Sequence, residues 1–542
     1  MRLLTITILA FALSLNMQAQ MPDSLKTKVD EIFTEFNNTN SPGCALAILQ
    51  DGKMLYEKYY GMSNLEYNLA VSPDSKFHVA SVSKQFTAAA IIKLSLEGKI
   101  SLDDDIRKYI PEVPDFGYKI TFYHLLHHTS GLRDQWEMMT LSGWRSNDLI
   151  TETDILDMVK RQKSLNFKPG DEFLYSNTGF TLLAVAVKKI TGVSLKDYTD
   201  SVFFKPMGMN NTHFQSDHSA IIPNRTSAYV KEEKGNWRIE IPVFDNYGAT
   251  ALFTTARDLA KWDEAFYGGK IFSDDFVQAM YKPGVLNDGT EQIYASGLML
   301  ENYNGYNIIE HGGADAGYRC FVLRIPEKHF SAIILSNSGN FSVDYHRIID
   351  LFLTNKNVEK QRNPEEHFAI DSTIVKNWEG DYFDETSSSK FNLHFEKNEL
   401  KIGWWGLNPV SNYDFSAGPM TTFSFKIDGK NIFMTKADIG AQKTVYKKVK
   451  KVEPAKVDGK QYIGNFYCSE LDALYRVTGD GNNIFVHIPR NDSLRLTPYL
   501  NDVFEGDFEW IVRFKRDNKK QINGFYLSAR MVRSLFFEKK EL

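Results

Sequence analysis

The chain has 542 residues, 43% hydrophobic and 24% charged, an ordinary globular composition with room for two or three domains. Its formal net charge of −5 provides no basic field for phosphate backbones or anionic membrane surfaces, so nucleic acid is not an expected partner. Its 3 cysteines, Cys44, Cys320 and Cys468, form no disulfide framework and read as small buried apolar residues.

The opening "MRLLTITILAFALSLNMQAQM" joins one Arg to the apolar run Leu3–Leu15 and then a polar stretch containing Ala19. This is the pattern of a signal peptide over residues 1–19, which predicts a periplasmic or secreted protein. No later segment has the roughly 18 continuous apolar residues of a membrane helix, so no integral span is expected after signal removal.

From Gly43, "GCALAILQDGKMLYEKYY" reads as strand, Asp-Gly turn, strand. Helical periodicity follows at 81–97 and 178–190, each closed by a glycine (Gly98, Gly192) where a left-handed C-cap is needed. In "TARDLAKWDEAF", Thr255 and Asp258 stand in capping-box spacing ahead of Leu259, Trp262 and Phe266. Strands return at 318–325 and 330–336, joined by "PEKH". Residues 20–360 therefore read as one α+β domain. After about residue 355 the chain turns polar and then alternates with period two, the mark of an all-β region. Trp378-Glu-Gly380-Asp-Tyr382 is echoed by Tyr462-Ile-Gly464-Asn-Phe466, which predicts two related units, 361–451 and 452–542. Each is expected to close into a small barrel that hides its edges, with one larger barrel as the alternative. The lysines of 447–451 read as a solvated linker.

Three short patterns can carry chemistry. Ser81 and Lys84, in S-x-x-K spacing, share a face of a helix starting near Ser81, so an amine with a lowered pKa can take the hydroxyl proton. The spacing recurs at Ser387 and Lys390 and says little alone. Tyr175-Ser176-Asn177 precedes a strongly apolar helix; Tyr175 can shuttle a proton, and the Asn177 amide can donate to a substrate carbonyl and accept from Lys84. His311-Gly312-Gly313 ends one strand signal and offers an imidazole beside two glycines that admit a close approach. No motif demands a cofactor, and no metal site is read. His124, His127 and His128 lack the neighbouring Glu of a zinc-peptidase helix, and Asp103-Asp104-Asp105 reads as helix capping.

These motifs in this order, together with "HLLHHTSGL" (124–132) and "ATALFTTARDLAKW" (249–262), resemble the serine β-lactamase and penicillin-binding DD-peptidase superfamily, its class C branch in particular, over about residues 25–350. The resemblance implies an antiparallel sheet flanked by helices, with an all-helical lobe and the site between them. It implies that Ser81 is acylated, that Lys84 and Tyr175 share general-base and general-acid duty, and that Asn177 positions a small-molecule or peptide substrate. The backbone N–H groups of Ser81 and Ala314 would form the oxyanion hole. Which of Lys84 and Tyr175 takes the first proton stays open. Where class C β-lactamases carry Lys-Thr-Gly, this chain has His311-Gly312-Gly313, so a fixed cation facing a substrate carboxylate is missing. That departure, followed by two β units, is most similar to the D-aminopeptidase layout. It shifts the expectation from antibiotic hydrolysis to D-residue peptides, with a loop from beyond residue 370 restricting the cleft to small substrates. The alternatives are an esterase, a weak β-lactamase, or a penicillin-binding sensor that is acylated without turnover.

Overall fold

Along the strand Cys44–Gln50, Ala45, Ala47 and Leu49 face one way and Cys44, Leu46 and Ile48 the other, and all are buried. A strand covered on both faces belongs to the middle layer of a three-layer domain. The structure, a computed structural model, describes residues 21–353, 368–418, 421–480, 483–507 and 509–541; the expected signal peptide and the boundary at 360/361 lie outside the described residues.

The middle layer is a six-stranded antiparallel sheet built from β1 (Cys44–Gln50), β2 (Lys53–Tyr60), β3 (Met299–Tyr303), β4 (Tyr306–Asp315), β5 (Tyr318–Ile325) and β6 (Phe330–Ser336), in the order β3-β4-β5-β6-β1-β2. Helices α1 (Asp23–Ile32) and α5 (His346–Phe352) cover one face. On the other lie α2 (Lys84–Leu96), α3 (Asn177–Thr191) and α4 (Ala256–Glu264), whose buried residues belong to one apolar core. The capping signals act in part as read: Thr255 Oγ1 accepts the Asp258 N–H at 3.2 Å and Gly192 ends α3 in the left-handed region, while the Asp258 carboxylate accepts from Asn211 N–H and Thr212 Oγ1 instead of closing the box.

Two expectations need correcting. The α-helix of the S-x-x-K segment starts at Lys84, after a 3₁₀ turn over Ala80–Ser83, because the Ser83 hydroxyl accepts the Leu252 N–H (3.1 Å) instead of capping its own helix. His311-Gly312-Gly313 does not end a strand but sits inside β4. Gly313 is required there because a Cβ would lie 2.3 Å from the Val79 carbonyl oxygen, so only glycine lets β4 run against the turn that carries Ser81.

The C-terminal region is two units. Strands from Gly464 to Lys540 form a closed eight-stranded up-and-down barrel. Strands from Gly380 to Val449 form a ladder whose edge strands, Trp405–Gly406 and Asn408–Pro409, flank Leu407, whose own N–H donates to Leu400 O (2.8 Å). Its first and last strands also pair, but the two short edge strands are not hydrogen-bonded to each other, so among the described residues this sheet stays open at Leu407, where the sequence led us to expect a second closed barrel. The repeat extends to detail: Gly380 and Gly464 each lie beneath the stem of a lysine from the last strand of their own unit, Lys448 and Lys539.

The closed barrel docks on the helical lobe, and its interior joins the apolar core of the first domain. Tyr475 Oη donates to Leu141 O at 2.5 Å, Arg533 pairs with Glu172 and Arg490 with Asp148. All three cysteines are buried and free. Among the described residues no single helix is long and apolar enough to cross a membrane.

Candidate active site

Ser81 sits in the 3₁₀ turn at the head of α2, at the base of a cleft of about 1010 Å³ also lined by Tyr175, Asn177 and Ala314. Lys84, in the first turn of α2, is wholly buried, and its Nζ meets three oxygens: Ser81 Oγ at 3.1 Å, Asn177 Oδ1 at 2.8 Å and Ala249 O at 2.8 Å. Loss of solvent pulls the Lys84 pKa down to about 7, against the opposing pull of Asp134 and Asp315. Two further polar groups of α2 are tied down: Thr87 Oγ1 donates to Gly248 O in the loop before α4, and Gln85 Oε1 accepts from Trp262 Nε1–H in α4 itself.

The orientation of Asn177 is set by its partners. Asp134 Oδ2 accepts both the Asn177 N–H (2.7 Å) and the side-chain Nδ2–H (2.8 Å), so Oδ1 must face Lys84. A neutral amine has two N–H bonds and one lone pair. With Asn177 Oδ1 and Ala249 O able only to accept, both N–H bonds are committed and the lone pair points at the Ser81 hydroxyl. The Tyr175 ring lies 4.8 Å from Lys84 Nζ, and its side chain lines the cleft together with Ser81. Burial raises the Tyr175 pKa, so the phenol keeps its proton at neutral pH.

His311 is 4% exposed and lies behind Tyr175. Its Nδ1 is 2.6 Å from Gly312 O and must donate, and its Nε2 accepts from Tyr294 Oη at 3.0 Å. Burial holds its pKa down at about 3. A neutral imidazole with both nitrogens engaged has none left for a substrate, so the geometry makes His311 a support for Tyr294 and Tyr175. Gly312 and Gly313 lie beside it, and Ala314, next along β4, reaches the cleft wall. Asp315 follows on that wall, its pKa raised to about 6 by burial, with Thr250 Oγ1 donating to it at 3.0 Å.

Sequence reasoning missed two contributors. Asp134 also caps the helix Gln135–Leu141, and an Asp before a helix carries no other signal in sequence. His128, named in sequence only within "HLLHHTSGL" and a rejected zinc motif, accepts the Ser176 N–H (3.1 Å) and packs its ring 4.2 Å from that of Tyr175. The paired histidines of "HLLHHTSGL" were the available hint. The second S-x-x-K copy lies apart: Lys390 of the first β unit pairs with Glu505 of the closed barrel.

A serine whose proton faces a buried amine and a phenol, between an antiparallel sheet and a helical lobe, defines a serine-hydrolase type of enzyme. The sequence pattern of the Beta-lactamase family matches residues 29–353, and the chain belongs to that family. It is 29% identical to penicillin-binding protein 4* of Bacillus subtilis over 355 residues, 61% of this chain and 77% of that one. It is 23% identical to the D-aminopeptidase of Brucella anthropi over 521 residues, 93% of this chain and 96% of that one. Among solved structures, the octameric penicillin-binding protein homologue of Pyrococcus abyssi shares the fold with a TM-score of 0.54 at 22% identity, covering 86% of this chain and 98% of its own.

Proposed function

We propose that the protein is a secreted or periplasmic hydrolase that forms an acyl-enzyme on Ser81 from amide or ester substrates, D-residue peptides or amides first among them. The observation that carries the reading is the three-oxygen cage around Lys84, which turns its lone pair onto the Ser81 hydroxyl. Lys84 takes the Ser81 proton as Oγ attacks the carbonyl, and the ammonium that forms is held by the same two acceptors. Tyr175, still protonated, hands its proton to the leaving amine or alkoxide, and the proton that Lys84 has taken returns to the phenol. Ser81 and Ala314 both line the cleft, and their backbone N–H groups would supply the donors for the oxyanion. The full-length match to a D-aminopeptidase supports a D-residue substrate.

The expectation of small substrates changes. Trp136, Trp144, Phe244 and Ile150 from the first domain and Leu494 and Trp510 from the closed barrel line the cleft, which suits a bulky apolar group on the substrate.

The test is one preparation. Full-length chain expressed with its leader is expected outside the cytoplasm, beginning after Ala19, and labelled stoichiometrically by a fluorophosphonate. It should turn over at least one member of a panel of D-aminoacyl amides, D-Ala-D-Ala peptides and aryl esters, and Ser81→Ala should lose both label and turnover. Near wild-type turnover by Ser81→Ala would end the reading; a label without turnover on any substrate would make the protein a sensor.

A further inference from the structure

Arg133 is fully buried in the helical lobe, and each of its five N–H donors is used. Nη1 donates to Glu470 Oε2 (2.7 Å) and Ser164 O (2.6 Å), Nη2 to Ser164 Oγ (2.9 Å) and Arg533 O (3.1 Å), and Nε to Arg533 O (3.3 Å). Glu470 and Arg533 both belong to the closed barrel, and Glu470, 7% exposed, is among the described residues the only carboxylate paired with this guanidinium. Glu470 Oε2 also accepts the Lys163 N–H at 2.9 Å. The next residue is Asp134, whose carboxylate orients Asn177, while the Arg133 carbonyl accepts from Thr178 Oγ1 at 2.7 Å. Residues 133 and 134 are thus clamped by the barrel on one side and by the head of α3 on the other.

We infer that Glu470 is a positioning residue for the hydrolytic site: by anchoring Arg133 it fixes Asp134, hence Asn177, hence the direction of the Lys84 lone pair toward Ser81. The closed barrel is then part of the catalytic structure and not only a wall of the cleft. The alternative in which the β units affect selectivity alone predicts an undisturbed site without them. The inference rests on the Ser81 reading above.

The experiment uses the full chain and phenyl acetate, whose acyl group is too small to touch Leu494 or Trp510. Glu470→Gln, Glu470→Asp and the double variant Arg133→Met with Glu470→Leu are compared by thermal melting, kcat, KM and the pH dependence of kcat/KM. The double variant removes both charges, so neither is left buried and unpaired, and it keeps the test open if Glu470→Gln fails to fold. Expected are folded proteins in which Glu470→Gln and the double variant lose about 10-fold or more in kcat, a size typical of a displaced proton-transfer group. KM should be nearly unchanged, the acid limb of the pH profile displaced, and Glu470→Asp partly recovered. A folded Glu470→Gln or double variant with wild-type kcat and acid limb overturns the inference. So does loss of folding in every variant, which would make the ion pair purely structural. Ser81→Ala, run alongside, separates the two readings: if it stays active, the proposed function has failed; if it is dead while Glu470→Gln is normal, only this inference has.

Discussion

Lys84 is a buried amine whose charge state sets both reactivity and stability. With a pKa near 7, the general-base form grows as pH rises through neutrality, so kcat/KM for an aryl ester should climb along an acid limb centred near pH 7. Lys84→Met is expected to lose on the order of 100-fold or more. The stability effect has a definite sign. Between about pH 7 and the ordinary lysine value of 10.5, the unfolded chain binds a proton that the native protein does not, so the cost of burying this amine is full below pH 7 and fades toward pH 10. The change in melting temperature of Lys84→Met relative to wild type should therefore be more favourable at pH 6 than at pH 10. A difference independent of pH would mean that Lys84 is charged throughout. The role of Asn177 was legible in sequence because Y-x-N ahead of an apolar helix has a spacing. That of Asp134 was not, because two hydrogen bonds across the lobe leave no periodic trace.

At the scale of elements, the site depends on how closely β4 approaches the turn before α2. Gly313→Ala would place a methyl carbon 2.3 Å from Val79 O, and neither a central strand nor a turn leading into a buried helix can give way cheaply. The variant should be destabilised by about 1–3 kcal/mol and lose most of its kcat, because the strain falls on the turn that carries Ser81. Gly312→Ala is the control, since its Cβ would meet only the Phe321 ring at an ordinary 3.6 Å. Equal losses in the two variants would argue against the close approach as the cause. The strands 318–325 and 330–336 and the capped α4 could be read from sequence because period-two alternation and capping residues are local signals. The true start of α2 could not, since the Ser83 hydroxyl is captured by Leu252, a residue far along the chain.

At the scale of the whole molecule, the cleft is a joint product of the first domain and the closed barrel. Leu494, half-buried on the barrel side, should contribute to binding a bulky apolar substituent and not to the chemistry. Leu494→Ala is expected to lower kcat/KM about 10-fold or more for a D-phenylalanyl amide or a bulky aryl ester, and to leave phenyl acetate nearly unchanged. Equal losses on both substrates would place Leu494 in the fold and not in the cleft. The two-unit β region was visible in the echoed Trp-x-Gly and Tyr-x-Gly motifs. Its docking was not, because Arg133, Glu470 and Arg533 are ordinary charges in sequence that become partners only through tertiary structure.

The Arg133–Glu470 pair joins residues 337 positions apart in the chain. A ribosome delivers the serine, the lysine and the whole central sheet long before it delivers that carboxylate. During synthesis the Arg133 guanidinium, on the face that the barrel later covers, therefore waits without its carboxylate partner, and on the inference above the lone pair of Lys84 gains its fixed direction only when that partner arrives. Activity would then switch on only when the last barrel has been made and folded, so that a chain whose synthesis stops before the barrel stays inactive.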